Sequence, residues 1–226
     1  MATALQSDTP RTAETRGRPR IRQDDEILDA ALRAFAAQGY DAMSLRSLNA
    51  ALGLSHGTIS QRFGTKERLY YAAIDRGFTT FFEDIDQRRT EAIRTDGDGA
   101  DADVDDLVDL RATLRAFLGA ALLRPELGRL MNQEGVTPSP RLDYIIETVL
   151  VPLFVTVGAS LERLRAAGRI HPVSARALFF LLAHGAEAPY TLTALSGAFD
   201  DLDGPLDPER HADDMTDLIM RGLVVA

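Results

Sequence analysis

The chain contains no cysteine. Disulfides, thiolate zinc sites and cysteine nucleophiles are therefore excluded together. Lysine is nearly absent: Lys66 is the single one, and every other side-chain cation apart from histidine is arginine. Arginine suits bidentate contacts to phosphate and guanine, although a codon bias produces the same excess. No run of about 18 apolar residues is present, so a membrane span is not expected. The first residues lack the apolar core of a signal peptide, so a cytoplasmic protein is expected. No stretch alternates with a period of two for long, which leaves little room for strands. No nucleophile–base pair, metal cluster or phosphate loop stands out. The reading is therefore not an enzyme, with no cofactor and no metal.

What is present is an unequal distribution of charge. The net charge is −9 over 226 residues. Residues 1–76 hold 11 Lys+Arg against 9 Asp+Glu, whereas the remainder holds 14 against 25. The acidic surplus thus belongs to the later two-thirds, and such asymmetry is informative where net charge is not. Residues 1–23 are polar and aperiodic and read as a disordered basic arm. The arm ends in RGRPRIR, residues 16–22, with four arginines in seven residues. Arg18 and Arg20 are its candidate nucleic-acid contacts.

Helical periodicity begins at Asp24-Asp25-Glu26, where acidic residues complement a helix dipole. Ile27, Leu28, Ala31, Leu32, Phe35 and Ala36 follow the spacing of one apolar face, and Gly39 stops the helix. Ser44 is the expected cap of a short helix, Gly53 its left-handed turn residue, and Ser55 the expected cap of a third helix ending near Arg62. A fourth helix starts near Thr65. The acidic segment TDGDGADADVDD, residues 95–106, reads as a surface loop, and it lacks the glycine and glutamate spacing of a calcium loop. Beyond it come helices near 104–123, 126–133, 141–167, 174–195 and 208–223, with Pro152 expected to kink the third of these. The fold class is all-α, with about nine helices.

On a wheel at about 100° per residue, Ile59 and Phe63 define the inner side of the third helix. Gly57 and Gln61 point nearly opposite, flanked by Thr58 and Ser60. Gln can bridge N6 and N7 of adenine, and Ser and Thr serve bases or phosphates. Thr65 and Lys66 open the next helix, where backbone N–H groups and a cation favour phosphate. Short helix, glycine turn and a second short helix with a polar outer face make a helix-turn-helix.

The segment Asp25 to Leu69 resembles the DNA-binding domain of the TetR-type transcriptional regulators. The resemblance rests on ILDAALRAFAAQGYDAMSLRSL, on LGLSHGTI and on QRFGTKERL. It implies DNA contacts at Ser44, Arg46, His56, Thr58, Ser60, Gln61, Arg62 and Lys66. Two residues depart from the family pattern. Asn49 stands where a small apolar residue is usual, and a part-buried Asn needs partners. Ser60 stands where an aromatic is common. The resemblance further implies residues 24–70 as the reading domain and residues 71–226 as a helical ligand-binding and dimerisation domain. The whole would be a homodimeric repressor released from a palindromic operator by a small-molecule effector. Polar residues stranded in apolar helices are the pocket candidates: Asn132, Gln133, Tyr144, His184, Glu187, Tyr190 and Thr191. The last two helices, about 174–196 and 208–223, are the expected dimer interface.

Overall fold

The computed structural model of the chain describes residues 23–96 and 105–225. Among them, twelve helices and no strand are found. They are α1 (Asp24–Gln38), α2 (Leu45–Ala51), α3 (Thr58–Phe63), α4 (Lys66–Asp96), α5 (Asp106–Leu123) and α6 (Pro125–Glu134). Then follow α7 (Pro140–Ala166), α8 (Ala175–Ala186), α9 (Ala188–Thr191), α10 (Thr193–Gly197), α11 (Asp200–Asp203) and α12 (Pro208–Leu223). Three of these, α9 to α11, are single turns, so nine helices of more than five residues remain.

The sequence explains most of the boundaries. Three acidic residues fill the first turn of α1, and Gly39 ends it at φ 78°. Gly53 takes a left-handed φ of 66° in the turn after α2. Pro125 opens α6, where its missing N–H costs nothing. Asp105, Ser139, Ser174 and Asp207 each accept a cap bond from the helix they precede.

Three boundaries differ from expectation. Ser44 stands before α2, but its hydroxyl makes no cap bond. Ser55 does not cap α3. The residue before that helix is Gly57, at φ 88°, a conformation that glycine adopts without strain. Ser55 instead closes the preceding turn, its carbonyl accepting from the Thr58 N–H and hydroxyl. The expected helix over 174–196 breaks into α8, α9 and α10. The last turn of α8, Leu181–Ala186, is wound wide, and Pro189 follows without an N–H to continue the ladder. A second wide turn, Ile146–Leu150, lies in α7 just before Pro152 and absorbs that proline's missing donor.

One core joins the first helices to the body of the chain. Ile27, Phe35, Ile59, Tyr70 and Ile74 pack in the same cluster as Ala120, Leu127, Leu130 and Ile145. Each of the large aliphatic and aromatic side chains among these contributes roughly 1.5–3 kcal/mol by leaving water. Tyr70 meets Phe35 edge-on at 4.9 Å and Tyr40 at 5.4 Å. At Gly77 a Cβ would lie 2.6 Å from Leu32 Cδ2 and 3.1 Å from Leu127 Cδ2, so glycine lets α4 lie close against α1 and α6. A second cluster, including Leu110, Leu114, Leu164, Leu178 and Ile219, ties α5, α7, α8 and α12 together.

α7 is long and apolar enough to cross a membrane, with mean hydropathy 1.8 over an 18-residue window of which 17% is buried within this chain. Its exposed face carries Val151 and Val155. The neighbouring α8 exposes Phe180 and Leu181, and α12 exposes Leu218.

Candidate nucleic-acid interface and interior cavity

The helix-turn-helix is held by an unexpected side chain. α3 has no side-chain cap of its own, because Gly57 precedes it. Asn49, on α2 and buried, supplies the missing acceptor. Its Oδ1 accepts the Ile59 N–H at 3.2 Å, and its Nδ2 donates to the Leu45 carbonyl at 2.8 Å. Its own carbonyl accepts from Leu54 N–H at 2.9 Å. The residue that departs from the family pattern thus pins α3 to α2 with both ends of its amide, and Ile59 completes the contact by burying its side chain fully.

The outer strip of α3 presents Ser60 and Gln61 exposed. Neither side chain makes a hydrogen bond among the described residues, so both are available to a partner. Arg46, His56 and Ser44 are exposed beside them. Three other expected contacts are already engaged. The Thr58 hydroxyl lies 2.7 Å from that of Ser55 and donates to the Ser55 carbonyl. Arg62 pairs with Asp24 at 3.0 Å. Lys66 donates to the Asp41 carbonyl at 3.1 Å and sits 4.6 Å from the centre of the Tyr40 ring. Gly57 is half-buried and serves the turn through its backbone. Arg18 and Arg20 lie outside the described residues.

The seven pocket candidates do not converge. Gln133 donates to the Ala36 carbonyl at 2.8 Å, tying α6 to α1. Tyr144 donates to Asp75 at 2.6 Å, tying α7 to α4; burial, then the Asp75 carboxylate, raises its pKa to about 12. Asn132 and His184 meet each other at 2.6 Å, and burial lowers the His184 pKa. Tyr190 donates to the Pro208 carbonyl, and Thr191 to that of Ala188.

Only Glu187 among the seven lines the interior cavity. The larger chamber, apolar and about 380 Å³, lies between α4, α5, α7 and α8; the smaller one, about 40 Å³ and the one that Glu187 borders, is also walled by α6. The chambers share Phe82, Phe117, Leu153 and Phe179 as walls. At the larger chamber, Arg89 bonds Asp109 at 2.7 Å and Asp86 at 3.3 Å. A roomier groove of about 670 Å³ outside α9 to α12 is open to solvent and edged by Asp200, Asp203, Asp207 and Asp214. The larger chamber is less open than that groove and more apolar in its lining, the setting in which a pocket removes an apolar molecule from water. The sequence did not single out its phenylalanines, since each reads as an ordinary core position.

Glu187 is 4% exposed, and its carboxyl has no hydrogen-bond or ion-pair partner among the described residues. Burial pushes its pKa from 4.5 up to about 7. The neutral carboxyl is therefore the form the fold accepts. Its contribution to stability is full below pH 4.5 and is lost as pH rises through about 7. Glu187→Gln is expected to raise stability at pH 8 by about 1–2 kcal/mol and to change little at pH 4.5. Thermal melts of both proteins at the two pH values check this. An equal shift at both would refute the desolvation account.

The geometry up to Leu69 is that of a helix-turn-helix protein. Residues 27–73 match the family model described as "Bacterial regulatory proteins, tetR family". The chain is 38% identical over 68 residues to the HTH-type transcriptional repressor ComR of Escherichia coli, covering 30% of this chain and 32% of that protein. It is 41% identical over 63 residues to the HTH-type transcriptional repressor Rv1474c of Mycobacterium tuberculosis, covering 28% and 32%. These matches span about a third of the length of the curated relatives. Solved structures extend the likeness of fold. A regulatory protein of the tetR family from Rhodococcus superposes with TM-score 0.61 at 23% identity, over 91% of this chain and 100% of that one. PfmR from Thermus thermophilus does so with TM-score 0.56 at 22% identity, over 91% and 99%. Residues 27–73 are thus a helix-turn-helix domain of the kind found in the tetR family of bacterial regulatory proteins.

Proposed function

We propose that the chain is a sequence-specific DNA-binding transcriptional regulator, a homodimeric repressor released from a palindromic operator by a small molecule. The observation that carries this reading is the outer strip of α3, where Ser60 and Gln61 stand exposed, their side chains unpaired among the described residues, beside Arg46 and His56. A solvated helix face would ordinarily carry Glu and Lys. The local matches to proteins named as repressors support the same reading.

Dimerisation supplies the second reading helix. Phe180 and Leu181 on α8 and Leu218 on α12 offer an apolar face for a second copy. The two helices meet where His211 Nε2 lies 2.8 Å from the Ala186 carbonyl. Half-sites one turn apart require reading helices about 34–36 Å apart, so a small tilt of α4 abolishes the fit. An effector in the chamber, whose walls include Phe82 and Ile85 of α4, acts by preferring the tilted state.

A gel-shift titration against DNA flanking its own gene tests the proposal. A specific, salt-sensitive shift is expected, and its absence refutes DNA recognition by this chain. Gln61→Ala should relax base preference by about tenfold or more at one position of each half-site while leaving non-specific affinity unchanged.

A further inference from the structure

The chamber's walls also bear on the chemistry of its ligand. Phe78, Phe81, Phe82 and Phe117 surround the smaller chamber, together with Phe179. Into this apolar setting the fold places Glu187, buried and unpartnered. The helix opposite makes room for it: a Cβ on Gly128 would lie 2.0 Å from its Oε1. The cations in the walls are already committed. Arg124 lies 3.6 Å from Asp84, and Arg89 is held by Asp109 and Asp86. Glu187 is the wall carboxyl left without a cation among the described residues.

A buried carboxylate is costly unless a cation pairs with it. An anionic ligand would find its wall cations engaged and would bury a charge with no cation to pair it. A neutral alcohol could donate one hydrogen bond. An ammonium would supply the missing charge, and the aromatic faces would favour it further. We propose that the two adjoining chambers together bind an apolar amine, its hydrophobic body in the larger one and its single protonated nitrogen in the smaller one, paired with Glu187. This rests on the reading of the chamber as the effector site.

Calorimetric titration of the full chain with phenylbutylamine, phenylbutanol and phenylbutanoate tests it. These probes share one body and differ in head group. The amine is expected to bind about tenfold more tightly than the alcohol, with the acid weakest. In Glu187→Gln the amine should lose about tenfold and the alcohol should hold within about twofold. Tightest binding by the acid, an unchanged amine affinity in the variant, or no binding by any probe would overturn the proposal. Adding the amine to the DNA complex separates the two readings. Binding without release of DNA leaves the ligand class standing and sinks the effector role; release without dependence on Glu187 does the reverse.

Discussion

Arg141→Ala is expected to lower stability by about 3–5 kcal/mol, the range for removing one partner of a buried ion pair. Glu134, at the end of α6, is 9% exposed. It accepts from Arg141 Nε at 3.0 and 3.1 Å, with Ser139 as a more distant donor at 3.4 Å. Removing the guanidinium leaves a carboxylate in the core with little to compensate it. The same guanidinium lies 4.2 Å from the centre of the Tyr40 ring and 6.0 Å from that of Tyr70. One side chain of α7 therefore holds the end of α6, the loop after α1 and the first turns of α4. The melting temperature should fall by about 10 °C. The double variant Glu134→Leu with Arg141→Ala should recover much of the loss, because the charge that went unpaired is gone. An unchanged melt in the single variant would show that Glu134 finds water instead.

Asn49→Ala is expected to cost about 2–3 kcal/mol, because the Ile59 N–H is left buried without an acceptor. It should also cost more at the operator than on random DNA. The bonds at 3.2 and 2.8 Å fix where α3 starts relative to α2, and α3 carries Ser60 and Gln61. A loosened α3 should weaken specific binding by about tenfold, while the salt-dependent non-specific term stays the same. Asn49→Asp keeps the acceptor and loses the donor, so it should fall between the two. Gel shifts on operator and random duplexes, alongside denaturant melts, separate these effects. Equal losses on both DNAs would make Asn49 a residue of stability alone.

Much of the helical framework was legible in the sequence. The apolar spacing from Ile27 to Ala36 fixed the buried face of α1, and Gly39 and Gly53 marked true ends and turns. The cap of α3 was misplaced because Ser55 and Gly57 both suit a helix start, and the deciding acceptor, Asn49, comes from another helix. Arg62 and Lys66 read as free cations because their partners, Asp24 and Asp41, lie far away in sequence. The span 174–196 read as one helix because its apolar content continues through Pro189. The chamber was illegible for a related reason. Its phenylalanines come from four separate helices, and nothing local distinguishes a residue that lines a void from one that fills it.

The two wide turns give that chamber an uncommon kind of adjustability. Leu150 and Ala183 lie in those turns, and Leu153, Phe154 and Val157 follow the one in α7. A wide turn holds about one residue more than an ordinary turn, and one residue is about 100° of rotation. The inward face of α7 is thus a matter of phase as well as composition. In a lineage of such proteins, gain or loss of a single codon at residues 146–150 would re-aim a whole wall at once, a larger step in ligand choice than any one substitution there provides.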